Sequence, residues 1–229
     1  MAVVTADSKP FRSATRILTS ALSPLEKRTL LYLAPRLPAW VNSDHLTGLG
    51  LVAMFAAGAS FWIAGTWSGA LLLVPLCLAV NWFGDSLDGT LARVRGHERP
   101  RYGYYVDHVV DILGTSFLLG GMALSGFMNP MVAIGVFAAY GAMSLEIALA
   151  AHALGEFRLT YAGMGPTELR ILLAIGALSL FRYSNVNLFG HPMRLFDVGG
   201  LVAIAGIAAI FLVTAAAHTR TLYRLERRA

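Results

Sequence analysis

The sequence predicts an all-α integral membrane protein, with six transmembrane helices behind an N-terminal amphipathic segment at the membrane interface. Three observations predict it. The chain is 56% hydrophobic and only 14% charged, where a soluble domain is about 25% charged. Its apolar residues arrive in long blocks, and one bilayer crossing takes roughly 20 of them. Its basic residues collect at the ends of those blocks. Inside lipid a backbone must satisfy its own polar groups, and runs of this length do so as helices.

Residues 1–45 come first. Phe11, Ala14, Ile17, Leu18, Ala21 and Leu22 recur near i, i+3, i+4 spacing, with Arg12 and Arg16 beside them, the pattern of a helix lying in the interface plane. Pro24 breaks it, and Leu25–Leu33 is expected to form a second short helix. No uninterrupted apolar run followed by small residues precedes residue 40, so no cleavable leader is expected. Six spans follow: Leu46–Gly65, Gly69–Ala92, Tyr104–Ser125, Pro130–Ala153, Thr167–Phe181 and Val198–His218. The fifth holds only about 15 residues, which calls for extension, tilt or a thinned bilayer. Residues 46–220 thus make the transmembrane unit and 221–229 a short basic tail. Of the 18 Lys and Arg residues, all but Arg182 and Arg194 fall in the N-terminal segment, the second and fourth loops and the tail. Both termini and those loops should therefore face the cytosol.

Six spans use most of the chain and leave no room for a second soluble domain. The formal charge of +5 does not indicate nucleic acid, because the basic residues sit at membrane ends and no aromatic stacking module accompanies them. Cys77, the one cysteine, lies in an apolar block and reads as a small buried apolar residue.

The chemistry concentrates in a short stretch. Of 13 acidic residues, Asp85, Asp88, Asp107 and Asp111 crowd at the cytosolic ends of the second and third spans. Asp85 and Asp88 are i, i+3 and Asp107 and Asp111 are i, i+4, so each pair shares a helix face. A hairpin between the two helices should bring the pairs together. Carboxylates near lipid cost up to about 3 kcal/mol each to bury, and four repel one another. One or two hard divalent cations, Mg2+ or Mn2+, would compensate them; zinc does not suit, because no Cys or His set accompanies the acids. Gly89 and Ala92 remove bulk beside the acids and Gly103 does so one turn before Asp107, letting a flat group approach, although small residues also serve helix packing. Arg93 can reach a phosphate with its planar fork of donors.

The run Asp85-Ser86-Leu87-Asp88-Gly89-Thr90-Leu91-Ala92-Arg93, followed after nine residues by Gly103-x-x-x-Asp107-x-x-x-Asp111, resembles the motif of the CDP-alcohol phosphotransferase family. The stretch Val41–Thr47 is similar to the family's Pro-Asn-x-x-Thr entry to the first span, without its proline. The resemblance implies transfer of a phosphoalcohol from a cytidine diphosphate donor onto a second alcohol, with release of CMP. It implies that Asp85, Asp88 and Asp107 ligate metal as part of a two-ion site, with Asp111 close to the second ion and acting as general base. It also implies that Gly89 and Ala92 make room for cytidine, that Arg93 and Gly103 face the nucleotide, that Thr47 hydrogen-bonds there, and that the protein is a homodimer.

Two arrangements of substrates remain open. CDP-diacylglycerol can donate a phosphatidyl group to a soluble alcohol, or a soluble CDP-aminoalcohol can donate its head group to diacylglycerol. Arg158 and Arg170 flank the fourth loop and suit an acceptor carrying phosphate. Gly165-Pro166-Thr167-Glu168 is similar to a stretch of aminoalcohol phosphotransferases, and Glu168 suits a cationic head group, yet it also suits a helix N-terminus. Glu146 and His152 in the fourth span either line the same cavity or pair with each other. Readings from other classes are a divalent-cation transporter, whose acids would spread across the membrane depth, and a non-catalytic scaffold, which the burial of four acids disfavours.

Overall fold

The computed structural model describes residues 15–17, 20–158, 163–188 and 190–227. A short strand β1 (Thr15–Ile17) precedes helix α1 (Ser23–Leu33). Helix α2 (Ser43–Ala64) follows, then a 3-10 turn (Ser68–Leu72) that runs into α3 (Leu73–Arg95). Helices α4 (Pro100–Leu124) and α5 (Pro130–Leu154) come next. Strand β2 (Glu156–Arg158), helix α6 (Pro166–Ser179), a hairpin of β3 (Asn185–Leu188) and β4 (His191–Arg194), and helix α7 (Leu195–Glu226) complete the order.

The helix boundaries follow from local chemistry. Asn42 caps α2, its side chain accepting from His45 N at 2.9 Å while His45 Nδ1 accepts from Asn42 N at 3.3 Å, a reciprocal box that satisfies two end donors. Asn129 caps α5 through Met131 N at 2.9 Å. Pro100, Pro130 and Pro166 each open a helix, where a missing N–H is tolerated. Gly96 ends α3 with φ 66°, the left-handed conformation that stops a helix cleanly.

Five helices are long and apolar enough to cross a membrane: α2, α3 with its 3-10 lead, α4, α5 and α7. All six expected spans are helical, but α6 has only 14 residues, about 21 Å of helix against a hydrocarbon core of about 30 Å. The expected interfacial helix is corrected in its first half. Phe11, Arg12, Ala14 and Leu18 lie outside the described residues. Thr15–Ile17 is extended and pairs in parallel with Glu156–Arg158, because the neighbouring loop offers its backbone as a partner. The second half holds: α1 is a helix, and its Leu30 packs with Ala34, Leu46, Leu87 and Leu91 over the ends of α2 and α3.

The main core joins α2, α3, α4 and their neighbours through Phe61, Leu71, Leu78, Leu118 and Met122, with Phe196 edge-on to Phe61. Helix α2 is the centre. Helices α3 and α4 each pack along it and hardly touch each other; α6 packs on α3, α5 on α4, and α7 on α5. Glycines allow the close contacts. A Cβ on Gly84 would sit 2.5 Å from the Leu46 carbonyl oxygen and 2.8 Å from Gly50 N, and one on Gly121 would collide with the backbone of Gly58. Both crossings are thus backbone on backbone, as small-residue membrane contacts are. Most of the apolar surface of α7 is uncovered, as a lipid-facing helix requires.

Candidate active site

Residues 81, 85, 88 and 92 of α3 fall at i, i+4, i+7 and i+11, one stripe of the helix. The stripe reads Asn81, Asp85, Asp88, Ala92. Helix α4 presents Asp107 and Asp111 toward it. One carboxylate oxygen each of Asp85, Asp107 and Asp111 lie within 4.8 Å of one another. The expected convergence of α3 and α4 acids is therefore present, but α2 brings it about, since the two helices hardly pack on each other. Asp88 stands beside this trio. Its Oδ2 accepts from Thr47 Oγ1 at 2.6 Å, and its carbonyl accepts from Ser43 Oγ at 2.9 Å.

All of these residues except Asn81 and Asp111 line a cavity of about 1240 Å³. Thr47, Asp85, Asp88, Gly89, Ala92, Arg93, Gly103, Asp107 and Arg170 all line it. Its rim carries Lys27, Arg99 and Arg101, and α1 forms one wall. A volume of that order exceeds the usual range for a small-ligand pocket. Arg93 lies across the gap left by Gly89: a Cβ there would stand 3.4 Å from the guanidinium. Its Nη2 also donates to Thr90 Oγ1 at 3.1 Å. Arg95 points elsewhere and ties down the α1–α2 connection through the carbonyls of Leu37 at 2.9 Å and Pro38 at 3.0 Å.

Arg170 of α6 forms an ion pair with Asp85 and donates through Nε to Asn81 Oδ1 at 2.7 Å. Asn81 was not among the residues expected in the site, although an Asn one turn before Asp85 inside an apolar run was a usable signal. Glu168, expected near the acceptor, instead takes backbone donors: Leu22 N at 2.9 Å and Gly165 N at 3.0 Å. It is a helix-start carboxylate. The side chain of Arg158 lies outside what is described. Glu146 does not pair with His152; its Oε1 meets His218 Nδ1 of α7 at 2.6 Å, and its Oε2 is buried with no partner among the described residues. His152 lines the cavity.

Glu26 of α1 is a second residue that the sequence did not flag. Its Oε1 accepts from Trp82 Nε1 at 2.8 Å, Ser86 Oγ at 2.8 Å and Thr167 Oγ1 at 3.0 Å. One carboxylate oxygen thus joins α1, α3 and α6 beside Asp85 and Arg170. Glu26→Ala leaves all three donors without this acceptor and is expected to destabilise the protein by about 2 kcal/mol. Thermal unfolding in detergent, with limited proteolysis ahead of α2, checks this; an unchanged melting temperature would show that the three bonds are replaced by water.

Fold and site together define a class: a helical membrane protein with a carboxylate-floored cavity at one end of its spans. The profile of the CDP-alcohol phosphatidyltransferase family matches residues 40–219. Archaetidylinositol phosphate synthase of Pyrococcus horikoshii is 29% identical over 117 residues, 50% of this chain and 56% of that protein. The chain therefore spans little more than half the length of that relative. Phosphatidylinositol phosphate synthase of Mycobacterium tuberculosis, solved with CDP-DAG bound, matches with a TM-score of 0.52 at 18% identity, covering 89% of this chain and 94% of that one; the likeness is one of fold. The chain belongs to the CDP-alcohol phosphatidyltransferase family.

Proposed function

We infer that this chain transfers a phosphatidyl group from CDP-diacylglycerol to a phosphate-bearing alcohol of the inositol phosphate class, releasing CMP. The observation that carries the reading is the meeting of Asp85, Asp107 and Asp111 beside a cavity that Asp85 and Asp107 line together with Arg93 and Arg170. The set offers only carboxylate oxygens, which fits hard divalent cations such as Mg2+ or Mn2+. Asp85, Asp88 and Asp107 would hold them, with Asp111 beside the second ion. When bound, such ions neutralise the diphosphate and stabilise the entering and leaving oxygens.

The chain's own groups do the rest. Gly89, Ala92 and Gly103 leave room for the nucleotide, Thr47 fixes Asp88, and Arg93 faces the donor's phosphates. Asp111 takes the proton of the acceptor hydroxyl as its oxygen bonds to the phosphorus that carries diacylglycerol. The phosphoanhydride bond on the far side breaks, and CMP leaves. Arg170 meets the acceptor's phosphate, its guanidinium being matched to that geometry.

The acceptor class is favoured by the two relatives, whose names both carry an inositol phosphate product. It is favoured again by Glu168: both of its oxygens are engaged by backbone N–H groups, so the aminoalcohol arrangement loses the anion it relied on. A cation transporter is disfavoured by acids gathered at one end of the helices rather than along a path. The distribution of Lys and Arg favours a cytosolic site and cytosolic termini, with residues 46–220 as the catalytic unit. The resemblance to the family favours a homodimer.

Purified protein with CDP-diacylglycerol, Mg2+ or Mn2+ and a panel of inositol phosphate, glycerol 3-phosphate, inositol and serine should release CMP with a phosphorylated acceptor. EDTA should stop the release and either cation restore it. CDP-choline with diacylglycerol serves as the contrasting pair. No CMP from any pair would end the enzyme reading, and release from CDP-choline alone would reverse the assignment of donor and acceptor.

A further inference from the structure

Arg170 is held at two of its nitrogens by residues one helical turn apart on α3. Nη2 pairs with Asp85, and Nε donates to Asn81 Oδ1 at 2.7 Å. Asn81 is itself buried, and its Nδ2 donates to the Gly50 carbonyl of α2 at 3.0 Å. That second bond sets which way round the amide sits: with Nδ2 turned to Gly50, only Oδ1 is left to face Arg170. Two bonds at different nitrogens fix both the place and the plane of a guanidinium, which one ion pair does not. Asp85 belongs to the carboxylate trio, so its charge is shared with whatever that trio binds. Asn81 is neutral, does not line the cavity, and keeps its hold on Nε regardless of how Asp85 is occupied.

We propose that Asn81 is a positioning residue for the acceptor: it locks the Arg170 guanidinium so that its remaining N–H groups receive the acceptor's phosphate. This rests on the reading of Arg170 given under the proposed function. Asn81 touches neither substrate and acts only through Arg170, with α2 as the anchor.

Two substitutions separate this role from a plain helix tie. Asn81→Leu loses both bonds. Asn81→Asp keeps an acceptor for Arg170, adds a negative charge beside it, and loses the donor to Gly50. Positioning predicts that N81L raises the KM for the phosphorylated acceptor roughly tenfold or more, in line with losing a bond to a charged group, while the KM for CDP-diacylglycerol stays within about twofold. N81D should bring the acceptor KM back to within about threefold of the unsubstituted enzyme. A helix tie predicts that both variants lose thermal stability alike and shift neither KM selectively. If N81L does not accumulate in the membrane, Asn81→Ser, too short to reach Arg170, takes its place with the same expected KM. Equal acceptor KM values for N81D and N81L (or N81S), or equal shifts for donor and acceptor, overturn the proposal. Failure of the unsubstituted protein to release CMP with any acceptor overturns instead the function on which it rests.

Discussion

Asp111→Asn is expected to lower turnover by roughly 10²–10⁴-fold, the usual contribution of a positioned general base, while the protein folds and still takes up the CDP-linked donor. Asn matches the shape of Asp and cannot accept the proton of an attacking hydroxyl. Asp111 stands one turn beyond Asp107 on α4, its oxygen gathered with those of Asp85 and Asp107, so the substitution also removes one negative charge from the trio. CMP release measures the first effect and equilibrium binding of labelled CDP-diacylglycerol the second. Near-normal turnover would exclude Asp111 as the base. Loss of both binding and folding would mean that its carboxylate holds α4 in place and that another group takes the proton.

Gly121→Val is expected to damage the fold more than any substitution on the lipid-facing surface. A Cβ at this position meets the backbone of Gly58, not a side chain that could swing aside. Valine therefore drives α2 and α4 apart, and overpacking of this kind costs about 3 kcal/mol. Gly120, next along the same helix, has nothing within 4 Å of a built Cβ. Gly120→Ala should be neutral or slightly stabilising, because alanine favours a helix by about 1 kcal/mol over glycine. Melting temperatures of the two variants in one detergent give the comparison; similar values would mean that the crossing yields more easily than its geometry implies.

Hydropathy made the helices legible. Each expected span overlaps an observed helix, and α2 begins three residues before the expected Leu46 because Asn42 and His45 form a cap that apolar counting ignores. The acid motif was equally legible, since i, i+3 and i+4 spacings fix a helix face without reference to any other element. Contacts between helices were not. Glu26 is joined to residues 56, 60 and 141 positions away, and Glu146 to His218 across 72. Such pairs depend on how far each helix is rotated about its own axis, which the apolar content of a span does not record. His152 was weighed as the partner of Glu146 because both lie on α5; the partner is on α7. The short strand at Thr15–Ile17 was missed for a related reason: its hydrogen bonds go to a loop about 140 residues later, and its residues also fit a helical period.

Helix α2 contributes no acid to the trio, yet α3 and α4 are both fastened to it and hardly to each other. It works as a calliper whose jaws are the glycine contacts at Gly84 and Gly121. Oxygen ligands stand about 2.0–2.1 Å from Mg2+ and about 2.3–2.6 Å from Ca2+, a difference far smaller than the displacement one added methyl would force at either contact. For a cation held by that trio, the ligand spacing would therefore be set in part by the backbone contacts of Gly84 and Gly121 with α2, residues that do not line the cavity.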